Sequence, residues 1–305
     1  MLANGSRTIS SEIERNFPSK VMLLVGVVAC AMLPHAPVSR RALLHAASFG
    51  VAQTLPLPAV AAESFLKMGD KAATAFIRGG YDESERLWRE ATLAYPDEPL
   101  GWANLATTLV ITASSEMTLG VPPEPGSRAA NRLDEALRAI ERAETLGSTD
   151  ALLLNTRGNA LGLMLRWDDA RLAYRAATDA SQRDFESIPR SNEALALFEL
   201  GELAEAEKLT RVLIRRDPSF RDGQALLATL LWARGDKPGA ETEFAAVCDG
   251  ASGSTWCGVY SSEDAVKGRW SPKAVGAFRG LLDEPSIKLL LRNAKQGELL
   301  RERVS

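Results

Sequence analysis

Apolar residues recur at helical spacing through most of the chain. Between Asp134 and Ala143, alanine, leucine and isoleucine side chains lie three or four residues apart, with charged residues between them. This spacing places the apolar side chains on one face of an α-helix. Such segments are separated by glycine, as at Gly201 and Gly235, or followed by proline, as at Pro218. The pattern predicts short amphipathic helices that fold back on one another.

The segment from Gly158 to Ala177 shows the repeating unit most clearly. After Gly158 it has Trp167 at the bend, followed by Ala170, Tyr174 and Ala177. Small residues allow helices to cross closely, and aromatic residues fill the space beside the crossing. We interpret these residues as packing positions. The pattern recurs at Gly79, Tyr81, Ser84, Trp88, Ala91 and Pro96, at Trp102, Leu105, Ala106, Leu109, Ala136, Ile140 and Ala143, at Gly201, Leu203, Ala206, Leu213 and Pro218, and at Gly235, Ala240 and Phe244.

These positions resemble the tetratricopeptide repeat (TPR), a helix-turn-helix unit of about 34 residues with the pattern Trp-x2-Leu-Gly-x2-Tyr, then Ala-x3-Phe, then Pro. The resemblance covers roughly residues 65–250. It implies an all-α, TPR-type α-solenoid of about five repeats, in which neighbouring helical pairs cover each other's apolar faces. We therefore assign residues 62–250 to the repeat array and residues 251–305 to a C-terminal loop and capping helices.

The second repeat carries about 18 residues more than a standard TPR. The extra residues fall at about 112–131, where Gly120 and Pro122 belong to a run that excludes continuous helix. Ser127 is expected to cap the helix that follows. A long loop on a scaffold can contact a partner. It can equally be a tolerated surface insertion, because lengthening a loop costs little free energy.

The N-terminal residues 1–61 are predicted to be a targeting presequence. Their first part, residues 20–33, is an apolar run behind Lys20 that is too short to span a bilayer comfortably and is typical of a signal segment. The alternative is an N-terminal anchor helix followed by a linker.

The second part of the presequence, residues 39–61, resembles a twin-arginine export signal. Arg40 and Arg41 precede a weaker apolar stretch, and Ala59 and Ala61 close it at the spacing that a signal peptidase accepts. The prolines just upstream are expected to leave this cleavage site extended.

Two export signals in tandem resemble those of algal proteins that enter complex plastids and then cross the thylakoid membrane. This resemblance implies the plastid thylakoid lumen as the location. A bacterial periplasmic protein would need only the second signal, and it is the alternative.

The remaining composition argues against catalysis. The formal net charge of −3 gives no reason to expect nucleic acid as a partner. Both histidines, His35 and His45, lie in the presequence, so the mature chain has none for a Ser-His-Asp arrangement or a metal site. No phosphate-binding glycine motif occurs. We expect no enzymatic activity, no cofactor, no metal and no small-molecule substrate.

Cys248 and Cys257 are the two cysteines outside the presequence. In an exported protein this pair favours a disulfide, which stabilises by about 2.5 kcal/mol in the chain-entropy treatment. The alternatives are two buried free thiols, or a redox role, although redox pairs usually have the Cys-x-x-Cys spacing.

The sequence after Cys257 is similar to the tail of TPR proteins from cyanobacteria and plant thylakoid lumens. The similar residues are Tyr260 and the segment Arg269-Trp270-Ser271-Pro272, in which Ser271 replaces a proline. We interpret Trp270 as an anchor for the turn before the next helix.

In TPR arrays the first helix of each pair lines a concave groove. Asparagine amides there can both donate to and accept from the backbone of an extended peptide. A clamp for a terminal carboxylate is not predicted, because Asn155, Asp222 and Leu226 hold the places of its basic residues. The residues predicted to line a peptide-binding groove are Asn155, Asn159, Asn192, Phe198, Thr229 and Trp232.

The resemblance therefore implies a scaffold for a protein or peptide partner, with a role in assembly or maintenance of a photosynthetic complex of the thylakoid membrane. Three alternatives remain at this point. The groove residues can be ordinary helix surface, the protein can be a disulfide-linked accessory protein with a redox role, or the array can associate with itself.

Overall fold

The computed structural model describes residues 59–181, 185–248 and 255–302, and these ranges contain 13 α-helices and no strand. The helices are α1 (Ala59–Ile77), α2 (Tyr81–Ala94), α3 (Pro99–Glu116), α4 (Arg128–Thr145), α5 (Ala151–Leu163), α6 (Trp167–Ala180), α7 (Ser187–Leu200), α8 (Leu203–Arg216), α9 (Arg221–Ala233), α10 (Lys237–Cys248), α11 (Thr255–Val259), α12 (Pro272–Asp283) and α13 (Pro285–Glu302). None of these described helices is long and apolar enough to cross a membrane.

The first ten helices form five consecutive pairs that share one register. A small buried residue occupies the same place in the first helix of each pair. These residues are Ala72, Ala106, Gly158, Ala194 and Ala228. Glycines in the left-handed conformation close three of the pairs, as the spacing predicts; one of them, Gly201, has a φ of 80°. The predicted helical pairs are thus confirmed.

Gly158 permits the closest packing within a pair. A Cβ atom at this position would overlap the ring of Tyr174 in α6. We expect Gly158→Ala to lower the free energy of unfolding by about 1–3 kcal/mol, because the ring has to move in a packed core. Urea unfolding measures the loss. Gly276→Ala is the control, since a Cβ there meets open space and alanine favours the helix; equal effects of the two changes would contradict the prediction.

Two large hydrophobic cores lie at the two ends of the array. The first contains residues of the five helices from α1 through α5. The second contains residues of α7, α8, α9, α10 and the C-terminal helices. Between them is a small cluster that is rich in alanine and contains Tyr174. The C-terminal helices therefore complete the second core.

Helix α12 differs from the predicted capping helix. It packs on α7 and α9, the first helices of repeats four and five, rather than only on the last helix of the array. Its apolar residues, which include Val275 and Phe278, join the second core. Helix α13 packs against α10, α11 and α12 at the C-terminal end of the array.

Both ends of the predicted insertion at 112–131 are helical. Helix α3 continues to Glu116 and α4 begins at Arg128, so only residues 117–127 form a loop. Ser127 caps α4 by accepting a hydrogen bond of 3.1 Å from the backbone N–H of Ala130, which confirms the expected cap. The loop is shorter than the predicted bounds, because both helices of this repeat have 18 residues, whereas those of repeats three to five have 12 to 14.

An ion network joins the two helices of the second repeat where α3 ends and α4 begins. Arg132 of α4 is buried and lies 2.9 Å from Glu85, 2.6 Å from Glu116 and 2.8 Å from Asp82. Burial alone would lower the pKa of Arg132, but the hydrogen bonds and charges of Glu116 and Glu85 raise it. The guanidinium ties both helices of repeat two to the second helix of repeat one.

The signal segment at 20–33, and Arg40 and Arg41, lie outside the described residues. Ala59 and Ala61 form the first turn of α1, where the sequence predicted extended backbone. The helix begins directly after Pro58 because proline is well tolerated just before a helix and alanine is the strongest helix former.

Candidate functional site

We call residues 256–283 the C-terminal segment. The contacts of this segment identify the groove face of the array. Ser271 donates a hydrogen bond of 3.2 Å from Oγ to the carbonyl oxygen of Leu195, and the backbone N–H of Lys273 donates to the carboxylate of Glu199. Both acceptors belong to α7. The segment thus lies on the first helices of the last two repeats.

Asp222 of α9 is the centre of this contact. Its carboxylate is 4% exposed. It accepts hydrogen bonds of 2.9 Å from the Tyr260 hydroxyl and 2.9 Å from Trp270 Nε1, and it lies 2.7 Å from the Arg269 guanidinium. Burial, followed by the charge of Asp222, raises the pKa of Tyr260. Burial would lower the pKa of Arg269, but the charges of Asp222 and Tyr260 and the hydrogen bonds with them together raise it.

The buried groups around Asp222 therefore satisfy one another. A charge in a protein interior is tolerated when it is paired and hydrogen-bonded, as these are. The interpretation of Trp270 as an anchor agrees with this contact, and the structure adds its partner. The C-terminal segment is held in the groove as an integral part of the fold.

Three of the predicted groove residues lie beneath this segment. Phe198 and Thr229 are buried, at 5% and 0% exposure. Trp232 is half-buried; its Nε1 donates a hydrogen bond of 2.9 Å to Glu284, and its ring packs against Gly280 of α12. Helix α12 packs on the helices that carry these side chains. Little of Phe198 and Thr229 is therefore left for an external partner, whereas Trp232 keeps part of its surface exposed.

The three predicted asparagines lie further along the groove and contact other residues of the array. Asn192 donates a hydrogen bond of 2.9 Å to the side-chain oxygen of Asn155, which is itself buried. Asn159 accepts a hydrogen bond of 3.0 Å from the Tyr174 hydroxyl. Burial raises the pKa of Tyr174. The asparagines thus spend part of their hydrogen-bonding capacity on joining helices.

A set of aliphatic residues on the same face was missed from the sequence. Each stands six residues before the small buried residue of its helix, and Asp222 holds the same place in repeat five. We call the set the aliphatic stripe; its members are Leu66, Leu100, Leu152 and Ile188. Leu66 is 59% exposed and Leu100 49% exposed, and the other two are half-buried. The repeat register could have revealed the stripe, but leucine in a helix is ordinarily a core residue.

The groove around the stripe is uncharged in repeats two and three. Helix α3 has no charged residue before Glu116, and α5 has only Arg157, which pairs with Glu144 at 2.5 Å. In the ranges that the structure describes, no group of three or more histidine, cysteine, aspartate or glutamate side chains could hold a metal ion. In repeats two and three the arrangement offers apolar contact and shape, and the cation of α5, Arg157, is already paired with Glu144.

A separate pocket of about 430 Å³ lies between the start of α7 and the end of α8. Its charged groups pair with each other: Arg216 lies 2.6 Å from Glu186, and Ser187 donates to Asp217 at 2.8 Å. Burial would raise the pKa of Asp217, but hydrogen bonds from Ser219 and Ser187 lower it. The pocket is thus a polar junction between two helices.

A disulfide joins Cys248, at the end of α10, to Cys257 in α11, with a Cα–Cα distance of 4.5 Å. Cys257 is 1% exposed. The bond fixes the start of the C-terminal segment to the last helix of the array. This position fits a structural role, because a buried sulfur is poorly accessible to an attacking thiolate.

Reduction of the disulfide is expected to lower the free energy of unfolding by about 2.5 kcal/mol, through the entropy that the unfolded chain regains. Urea unfolding with and without a reductant measures the loss. The double variant Cys248→Ser/Cys257→Ser should show the same loss without a reductant. An unfolding midpoint that ignores reduction would contradict the expectation.

Solved structures with a similar fold span most of the described array. A structure of PilF from Pseudomonas aeruginosa covers 77% of this chain and 99% of its own, with 15% identity and a TM-score of 0.52. A structure of PilW, a widely conserved type IV pilus biogenesis factor, covers 75% of this chain and 98% of its own, with 14% identity and a TM-score of 0.52. No protein-family profile and no curated protein matches the sequence.

The class of protein follows from the helical pairs, their register and these two likenesses. The fold is an all-α, TPR-type α-solenoid, as the sequence predicts. At these identities the likenesses establish the fold alone. Five helical pairs lie within the described residues, and a helix of the same chain fills the groove of the last two.

Proposed function

We propose that the protein is a scaffold that binds a protein or peptide partner in the open part of its groove, formed by repeats one to three and the start of repeat four. The observation that carries this proposal is the aliphatic stripe. Leu66 and Leu100 stand exposed at equivalent places in consecutive repeats, within a groove that is uncharged at repeats two and three. Exposed apolar residues that line up on one surface are typical of an interaction site.

The proposal extends to assembly or maintenance of a photosynthetic membrane complex in the thylakoid lumen. The tandem export signals and the tail around Arg269 and Trp270 support this location, with the bacterial periplasm as the alternative. PilW is described as a pilus biogenesis factor, and a role in assembling a membrane-associated structure is compatible with the same fold. The proposed activity is non-enzymatic.

The location can be tested at the mature N-terminus. Cleavage after Ala61 would remove only the first turn of α1, and the first side chain described as buried is Phe65. N-terminal sequencing of the native protein should therefore find Ala62 or a neighbouring residue. A mature protein that retains residues 20–33 would contradict a cleaved presequence.

A redox role has less support than a structural disulfide, because Cys257 is buried beside the second core. The two roles differ in their chemistry. A redox protein exchanges its disulfide with a lumenal oxidoreductase while folded. We expect no such exchange in mass spectrometry of the native protein after alkylation of free thiols.

Affinity capture from a native extract tests the scaffold. The double variant Leu66→Asp/Leu100→Asp should lose at least about tenfold of the captured partner, because charge is placed in an apolar contact. Leu93→Asp/Leu172→Asp is the matched control, since these leucines are 82% and 55% exposed on second helices. Equal capture by both double variants would contradict the groove as the binding site. Capture of no partner by the unaltered chain would contradict the proposed scaffold function.

A further inference from the structure

We infer that the partner docks on the aliphatic stripe as an amphipathic α-helix with an apolar residue at about every seventh position. This inference rests on the proposed function and adds the form of the partner. It follows from the spacing of the stripe, from the hydrogen bonds of the groove and from the chain's own helix in the same groove.

The spacing of the stripe limits the partner to two forms. Side chains join neighbouring first helices directly: Thr107 of α3 lies 3.3 Å from Thr156 of α5, and Asn192 of α7 bonds Asn155 of α5. Helices in such contact lie about 8–10 Å apart, so the stripe repeats at about that interval. A helix rises about 10.5 Å in seven residues, and an extended chain covers about 10 Å in three. Both forms match the interval.

The hydrogen bonds of the groove favour the helical form. An extended peptide brings an unpaired N–H and C=O group at each residue, and these need partners when they are buried. Part of the hydrogen-bonding capacity of the groove is already used: Thr107 also donates to the carbonyl oxygen of Ala103 at 3.0 Å, and Asn159 accepts from Tyr174. A helix satisfies its own backbone groups and needs only apolar contact.

Helix α12 shows that this groove accepts a helix. It lies on α7 and α9 with Val275 and Phe278 buried against them. Its first residue, Pro272, lies against Gly120 of the repeat-two loop. The open part of the groove continues from this interface along α5, α3 and α1. A partner helix would extend the arrangement that the chain already makes with itself.

Selection from a library of random peptides of about 20 residues, long enough for four contacts at helical rise, tests the inference. The peptides are displayed on phage and selected on the full chain, and binders that persist on Leu66→Asp/Leu100→Asp are discarded. The remaining sequences should carry apolar residues seven positions apart and lack internal proline. Synthetic peptides from the selection should bind at least about tenfold more weakly to the Asp double variant and equally well to Leu93→Asp/Leu172→Asp.

Two results would overturn the helical form. Selected sequences with apolar residues at every third position, or with tolerated internal proline, would show an extended partner, and the groove would remain the binding site. Failure to obtain any stripe-dependent binder would also overturn the inference. Affinity capture of the native partner reports separately on the scaffold. Because the groove is uncharged at repeats two and three, the affinity of the selected peptides should change little with ionic strength.

Discussion

Replacing Asp222 with alanine is expected to lower the free energy of unfolding by about 3–5 kcal/mol. The change leaves the Arg269 guanidinium buried and unpaired, and it removes the acceptor of Tyr260 and Trp270. A buried charge without its partner is among the most destabilising defects in a protein. Urea unfolding measures the loss, and limited proteolysis should cut first in the C-terminal segment.

A second variant separates the ion pair from simple packing. Asp222→Leu/Arg269→Met removes both charges and should recover part of the stability that Asp222→Ala loses. Asp283→Ala is the exposed control; this carboxylate is 70% exposed and should contribute less than about 1 kcal/mol. If Asp222→Ala were no more destabilising than this control, the C-terminal segment would not be held as the structure indicates.

Arg132→Ala should produce a loss of about 3 kcal/mol, at the lower end of the range for breaking a buried ion pair. It leaves Glu85 nearly buried, with its side chain 12% exposed and Arg89 at 2.9 Å as its remaining ion-pair partner, whereas Asp82 is 74% exposed and can be hydrated. The loss should be seen in urea unfolding of the full chain. Hydrogen exchange should locate it at the ends of α3 and α4, which the guanidinium ties together.

The neighbouring arginine provides the control for Arg132. Arg128 is 68% exposed and lies 3.4 Å from the same aspartate. Its replacement by alanine should cost less than about 1 kcal/mol, because exposed ion pairs contribute little. A similar loss from both variants would mean that charge count, rather than burial, controls the stability of this repeat.

The helical pairs could be predicted from the sequence because they depend on local spacing. Small residues such as Ala106 and Gly158, the aromatic residues beside them and the turn glycines all lie within one repeat. The residues that shape each helical pair lie within that pair. The five incomplete copies can therefore be aligned in one register. The same register predicts that Asn155 and Thr229 lie on the groove face.

The contact of the C-terminal segment with the groove could not be predicted in the same way. Asp222 and Trp232 are in contact with residues 48 and 52 positions later that return to the groove, and repeat spacing contains no information on such a contact. By register, Asp222 holds a place where a carboxylate clamp has a basic residue. Its actual partners, Arg269 and Trp270, are distant in the sequence. The contact of Arg132 with Asp82, fifty positions earlier in the chain, is likewise absent from the repeat spacing. It lies where the predicted insertion differs from the observed loop.

The division of the groove is the central claim, and site-specific photocrosslinking tests it most directly. A photoreactive amino acid is placed at Leu100 or Leu152 on the stripe, and at Leu93 or Leu172 on second helices, in chains exposed to a native extract. The partner should crosslink from both stripe positions and from neither of the other two. Crosslinks that form equally from all four positions, or only from the second helices, would contradict a partner site in the open groove.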